Sequence, residues 1–162
     1  GNPRSRFMNN FGAGAGAVLL RRDHPNAVLG SALLTDSRCS RDVVMVEGML
    51  DVPDPEGMRD RLEVSLENFV SVAETALAGR QAGFVALTHM KRSMHDAVLE
   101  RLGVPSDRSF YLSTTGHVQA ADQALALEQG LARGLVRPGD TVLLLAAGTG
   151  YTWSATAIEW QS

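Results

Sequence analysis

Apolar residues recur along this chain in two rhythms, and each predicts a different element. Between Gly57 and Gly79 the positions Met58, Leu62, Leu66, Phe69, Val70, Ala73 and Leu77 fall mostly three or four apart. That spacing puts them on one face of a long helix, with Gly79 as its stop. Elsewhere the apolar runs are short and closed by turn residues. "AGAGAVLLR" (13–21) and "AVLGSALLT" (27–35), ended by "DHPN" and "DSR", read as strands able to pair as a hairpin. "DVVMVEGML" (42–50) reads as a further short strand, and "DVPDPEG" after it breaks the chain with two prolines and a glycine.

Past the long helix the two rhythms alternate. "FVALT" (84–88) predicts a buried strand, "RSMHDAVLERLG" (92–103) a helix ending at Gly103, and "SFYLST" (109–114) another strand. Residues 119–133 predict an Ala- and Leu-rich helix ended by Gly134. After the turn "RPGD", "TVLLLAA" (141–147) is a nearly uniform buried strand, and "GTG" leads into a last strand within "YTWSATAIEW". The alternation predicts an α/β layer fold in which helices cover a mixed, mostly parallel sheet, its final strand antiparallel. There is no internal repeat and no low-complexity linker, so residues 1–162 are expected to form a single domain.

Composition narrows what such a domain can do. With 162 residues, 44% of them hydrophobic and 20% charged, the chain can bury one core. A net charge of −3 without a long basic run argues against a nucleic-acid partner, which needs clustered Lys and Arg. The one cysteine, Cys39, excludes an internal disulfide, and no His or Cys group has zinc-ligand spacing, so neither a metal nor a cofactor is expected. Cytoplasmic localisation is expected, since no apolar run approaches the roughly 20 residues that span a bilayer and no secretory signal is recognisable.

Two of the four histidines, His89 and His117, stand just past the ends of apolar runs. In open α/β sheets ligands bind at the carboxyl ends of the strands, and a Gly-rich loop, Gly148, Thr149 and Gly150, ends a third strand. These three places together can set two imidazoles and a backbone N–H around one reacting carbonyl. His95 inside a helix and His24 before Pro25 read as structural. "GAGAGAV" (12–18) contains the dinucleotide pattern through Gly12, Gly14 and Ala17, but no helix of adequate length follows, so the glycines read as close packing. Cys39, in the polar stretch "DSRCSRD", reads as an ordinary surface thiol.

The segment "THMKRSMHDAVLERLGVPSDRSFYLSTTGHVQAADQALALEQGLARGLVRPGDTVLLLAAGTGYTWSATAIEW" resembles the C-terminal half of the beta-ketoacyl-acyl-carrier-protein synthase III family, of thiolase-like fold. "RPGDTVLLLAAGTGYTWSATAIEW" is its most specific part, and "FGAGAGAVLL" looks like the strand that precedes that half. In the family a His and an Asn after successive strands stabilise the enolate formed as malonyl carrier protein loses carbon dioxide. The carbanion then attacks an acyl group held on a cysteine. His89 matches the histidine, and His117 stands at the place of the asparagine. Related elongating synthases use two histidines, so decarboxylation stays open. Relatives with a changed third residue are non-decarboxylating acyltransferases, so plain acyl transfer stays open too.

Other departures follow from the same resemblance. The usual "HQAN" is "HMKR", so Arg92 replaces an asparagine that orients water and the pantetheine arm, and Lys91 and Arg92 become candidates for a phosphate of that arm. The triple-glycine loop is "GTG", with Thr149 where a backbone N–H serves the acyl oxyanion. The family nucleophile lies in an N-terminal half that this chain lacks, and Cys39 does not match it. The resemblance therefore implies a 3-oxoacyl-ACP synthase III-like acyltransferase domain of fatty acid or polyketide biosynthesis, taking coenzyme A or carrier-protein thioesters and inactive alone. The expected partner is its N-terminal half, a separate cysteine-bearing chain, or a second copy in a dimer. "SMHDAVLERL" and "AADQALALEQGL" are the helices expected to face it. The alternative is a non-catalytic subunit that completes a heterodimeric condensing enzyme.

Overall fold

The computed structural model describes residues 11–47, 49–148 and 151–161. Its elements are β1 (Ala27–Thr35), β2 (Val44–Val46), β3 (Met49–Asp51), α1 (Pro55–Asp60), α2 (Leu62–Leu77), β4 (Phe84–Leu87), α3 (Arg92–Arg101), α4 (Asp122–Ala132), β5 (Thr141–Gly148) and β6 (Thr152–Glu159). The main sheet has the order β1-β6-β5-β4, and β2 with β3 forms a separate antiparallel pair.

Alternation along the central strands sends side chains to two covered faces. On one, Val85, Leu87, Leu143, Leu145, Trp153, Ala155 and Ala157 pack with Leu66, Phe69, Val72, Ala73 and Ala76 of α2 and with Val98 and Leu99 of α3. On the other, Phe84, Ala86 and Val142 pack with Ala126 of α4 and with Val136. Helices therefore cover the sheet on both sides, which is why β4 is buried at every position. The α/β class holds, as does the antiparallel last strand. The balance of the sheet differs from expectation: only β4–β5 is a parallel ladder, whereas β1–β6 and β5–β6 are antiparallel.

Several local expectations are borne out by their chemistry. The helices α3 and α4 stop at Gly103 and Gly134, both at positive φ (65° and 66°). In each, the next residue's N–H returns to the last turn, Val104 to Leu99 O and Leu135 to Gly130 O, both at 2.9 Å. The long helix is two pieces. Asp54 caps α1 by accepting from Gly57 N at 2.9 Å, and the chain bends at Arg61 before α2.

Three expected strands differ. Residues 13–21 form no strand: β1 pairs with β6, and the expected hairpin on its other edge does not form. Instead the glycines admit close packing on the loop around His117 and the helix after it: a Cβ at Gly12 would lie 2.0 Å from Thr115 O, and one at Gly16 3.1 Å from Ala124 Cβ. "SFYLST" reduces to one parallel bridge, Ser109 to Val85. The 42–50 strand is a β2–β3 pair rather than one strand. The large exposed apolar residues sit mainly at Val18, Leu19, Leu20, on β1 (Val28, Leu33) and on β2 (Met45, Val46), with only Leu131 on the two helices expected to face a partner.

Candidate active site

The site is organised by a residue that bears a buried charge. Asp122 opens α4 and is 0% exposed. Its Oδ2 accepts from Thr88 Oγ1 (3.1 Å), from the backbone N–H of His89 (2.7 Å) and from His117 Nδ1 (2.5 Å), and its Oδ1 accepts from Val118 N (2.8 Å). Thr88 and His89 follow directly on β4, and the 117–121 loop doubles back to the carboxylate through Gln119 at φ 59°. Burial pushes the Asp122 carboxyl up, but the His117 ring and the amides of His89 and Val118 together hold it below its ordinary 3.8. It is therefore a carboxylate, placed where the first turn of a helix favours negative charge.

This arrangement sets the protons of both histidines. His117 gives its Nδ1–H to the carboxylate, so that in the neutral form of the ring Nε2 is bare. Its ring meets Phe11 edge-on at 4.9 Å, and its carbonyl accepts from Gly12 N at 2.9 Å. His89 is different. Burial lowers its pKa, the Asp122 charge opposes that and His117 adds to it, so the ring is neutral at neutral pH. Its Nδ1 is buried with no hydrogen-bond partner, so a proton there would be an unpaired buried donor; the less costly tautomer carries it on Nε2. One imidazole thus offers a base and the other a donor.

An open cleft of about 390 Å³ adjoins His89, lined by Phe11, His89, Tyr111 and the hydroxyl-bearing loop from Ser113 to Gly116 that leads to His117. Tyr111 lies 4.9 Å from the His89 ring. Gly148 ends β5, and Tyr151 N donates back to Gly148 O at 3.0 Å; Thr149 and Gly150 lie outside the described residues. Of the two basic candidates, Lys91 is the residue before α3, and Arg92 is engaged by Asp96 at 2.8 Å and lies 5.2 Å over the Tyr111 ring.

The remaining candidates fall as follows. His95 is 3% exposed inside α3, and His24 accepts from Asn26 N in its turn, both structural as read from the sequence. Cys39 is not a surface thiol: it is 1% exposed in the main core, and burial pushes its pKa up, which keeps it inert. Asp122 and Tyr111 are the residues that the sequence reading missed. For Asp122 a signal existed, since an acid inside "AADQALAL" opens an Ala- and Leu-rich helix five positions after His117, and a buried acid requires donors.

Comparison with known proteins fits this geometry. The model of the family described as 3-oxoacyl-[acyl-carrier-protein] synthase III, C terminal, matches residues 72–160. Beta-ketoacyl-[acyl-carrier-protein] synthase III 3 of Streptomyces coelicolor is 32% identical over 98% of this chain and 54% of its own length. The structure of 3-oxoacyl-[acyl-carrier-protein] synthase III from Aquifex aeolicus superposes with a TM-score of 0.72 at 21% identity, covering 86% of this chain and 46% of that one. ChlB3, titled an acyltransferase, superposes with a TM-score of 0.70 at 21% identity, over 85% of this chain and 47% of that one. The chain spans about half the length of the relatives it matches. It belongs to the 3-oxoacyl-[acyl-carrier-protein] synthase III family, of which it carries the C-terminal, thiolase-like domain.

Proposed function

We propose that this domain completes an acyltransferase active site, with the nucleophilic cysteine supplied by an N-terminal half. The observation that carries this reading is the His117 Nδ1–Asp122 Oδ2 bond. A carboxylate that holds Nδ1–H turns Nε2 into a general base, the arrangement needed to draw a proton from a thiol, hydroxyl or amine acceptor. His89, with its proton on Nε2, suits stabilisation of the oxyanion that forms as the acyl carbonyl is attacked. In the full reaction an acyl group leaves a coenzyme A or carrier-protein thioester for the cysteine. It then passes to the acceptor, whose proton His117 takes, and the enzyme regains its thiol.

Decarboxylative condensation fits this pair less well, because a His117 ring that spends its Nδ1–H on Asp122 turns Nε2 outward as an acceptor unless it takes up a second proton. The setting proposed is cytoplasmic lipid or polyketide synthesis, in a dimer of complete chains. Among the described residues no helix is long and apolar enough to cross a membrane.

The test uses the complete protein with malonyl and simple acyl thioesters side by side. Acyl transfer without carbon dioxide release, lost by roughly 10²-fold or more in His117→Ala, supports the reading. Malonyl-dependent carbon dioxide release as the main reaction would replace it with condensation. Turnover unchanged in both His89→Ala and His117→Ala would leave this domain a non-catalytic one.

A further inference from the structure

The aromatic rings beside His89 form a column rooted in the sheet. Val85 O of β4 accepts from Ser109 Oγ at 2.7 Å, and the same Ser109 oxygen lies 3.1 Å from His95 Nε2. Because the single hydroxyl proton goes to Val85, Ser109 can only accept from His95, whose proton is therefore on Nε2. Both residues are buried, His95 at 3% and Ser109 at 7% exposure. The His95 ring meets Tyr111 edge-on, at 5.2 Å and 84°, and Tyr111 in turn lies 4.9 Å from His89 at a tilt of 37°.

Tyr111 is held from three directions. His95 abuts its ring, the Arg92 guanidinium covers it at 5.2 Å, and its hydroxyl donates to Met90 O at 2.9 Å, next to His89 in the chain. His89, by contrast, has a buried Nδ1 without a hydrogen bond. In many sites a second partner on that nitrogen fixes the ring of a working histidine. Among the described residues packing does so, and Tyr111 is the ring in place.

We propose that Tyr111 is the positioning residue of His89, with His95 as the buried abutment that holds Tyr111. This rests on the assignment of His89 to the acyl-transfer site made above. The ring contact is what matters, so phenylalanine should substitute and alanine should not.

Two readouts on the complete protein test it. The first is the order of the His89 ring, from NMR relaxation with ring-labelled histidine; the second is kcat and KM for acyl transfer. Tyr111→Phe is expected to keep the ring ordered and kcat within about threefold. Tyr111→Ala is expected to loosen the ring and lower kcat by about tenfold or more with KM nearly unchanged, because a small misplacement of a reacting group is costly. His95→Ala should fall between them. Where the alanine variant fails to fold, Tyr111→Leu, which keeps apolar bulk without the flat ring, takes its place.

An ordered His89 ring in the alanine or leucine variant would overturn the proposal. So would a loss confined to KM, which would make Tyr111 a substrate wall, or a phenylalanine variant as impaired as alanine. If the wild type shows no acyl transfer, the functional reading fails while the ring-order comparison still decides whether Tyr111 positions His89.

Discussion

Asp122 accepts the Nδ1–H of His117 at 2.5 Å, and it does so from the first turn of α4 with no exposure to solvent. A neutral asparagine at this position would keep the shape and lose the preference for one tautomer. It would also set an amide NH2 against a backbone N–H that can only donate, His89 N on one side or Val118 N on the other. In the complete protein, Asp122→Asn is expected to lower kcat by roughly 10²-fold or more with a small change in KM. Stability should fall by about 1–3 kcal/mol, the usual cost of an unsatisfied buried group. Steady-state kinetics beside a denaturant titration check both, and turnover within twofold of wild type would remove Asp122 from the mechanism.

The buried His95 imidazole makes stability depend on pH. Burial, with the Arg92 charge adding, lowers its pKa from 6.5 to about 4. Between those values the unfolded chain binds a proton that the folded chain refuses, so stability falls as pH drops through the window and rises as pH climbs back. A shift of this size corresponds to roughly 3 kcal/mol across the window. His89 is shifted in the same direction and adds to the slope, whereas Asp122, held below 3.8, loses its contribution only in stronger acid. His95→Gln is expected to flatten the pH dependence of the melting temperature between pH 6.5 and 4, and an unchanged slope would assign it to other groups.

How much of this was legible follows from which contacts are local. The stops at Gly103 and Gly134 were readable, because a glycine after a periodic run answers a need for positive φ that arises within a few residues. The position of His89 was readable for a similar reason, since it lies just past β4 in sequence, whereas the strand expected before His117 shrinks to the Ser109–Val85 bridge. For Asp122 only the local half was within reach, its bonds to His117 and Val118; its bond to His89 N joins residues 33 apart, which the packing of α4 on β4 brings together. The failure of 13–21 as a strand has the same origin. A strand requires a partner, and this segment packs through its glycines on Thr115, Val118, Ala121 and Ala124, about 100 residues later, rather than on the outer edge of β1.

Gly130 shows the tolerance of the packing between α4 and β4. A Cβ there would lie 2.4, 2.8 and 3.1 Å from three ring atoms of Phe84, itself fully buried. Alanine would gain about 1 kcal/mol of helix propensity at this position. The clash is with a rigid ring in a closed core, and overpacking of this kind costs about 1–3 kcal/mol. We expect Gly130→Ala to destabilise on balance, and Gly130→Ala combined with Phe84→Leu to recover part of the loss. Denaturant midpoints of the two variants measure this, and a single variant more stable than wild type would mean that α4 can shift away from the sheet.

Arg61 stands at the bend between α1 and α2 and forks onto Asp42, with Nε 2.9 Å from Oδ2 and Nη2 bonded to Oδ1. Asp42 is 3% exposed, in the turn that follows the buried Cys39. The two partners are unequal, since the Arg61 side chain is 33% exposed and can find water while the carboxylate cannot. Removing the arginine therefore costs more than the pair contributes, because it strands a charge in the interior. Arg61→Ala is expected to destabilise by about 3 kcal/mol, and Arg61→Lys by less, since the ammonium keeps a positive charge beside Asp42 although it loses the two-pronged contact. The double variant Arg61→Met with Asp42→Leu removes the stranded charge and should recover most of the loss. Chemical denaturation of the four proteins distinguishes the two accounts: a double variant as unstable as Arg61→Ala would show that the ion pair itself, rather than the isolated carboxylate, holds the bend.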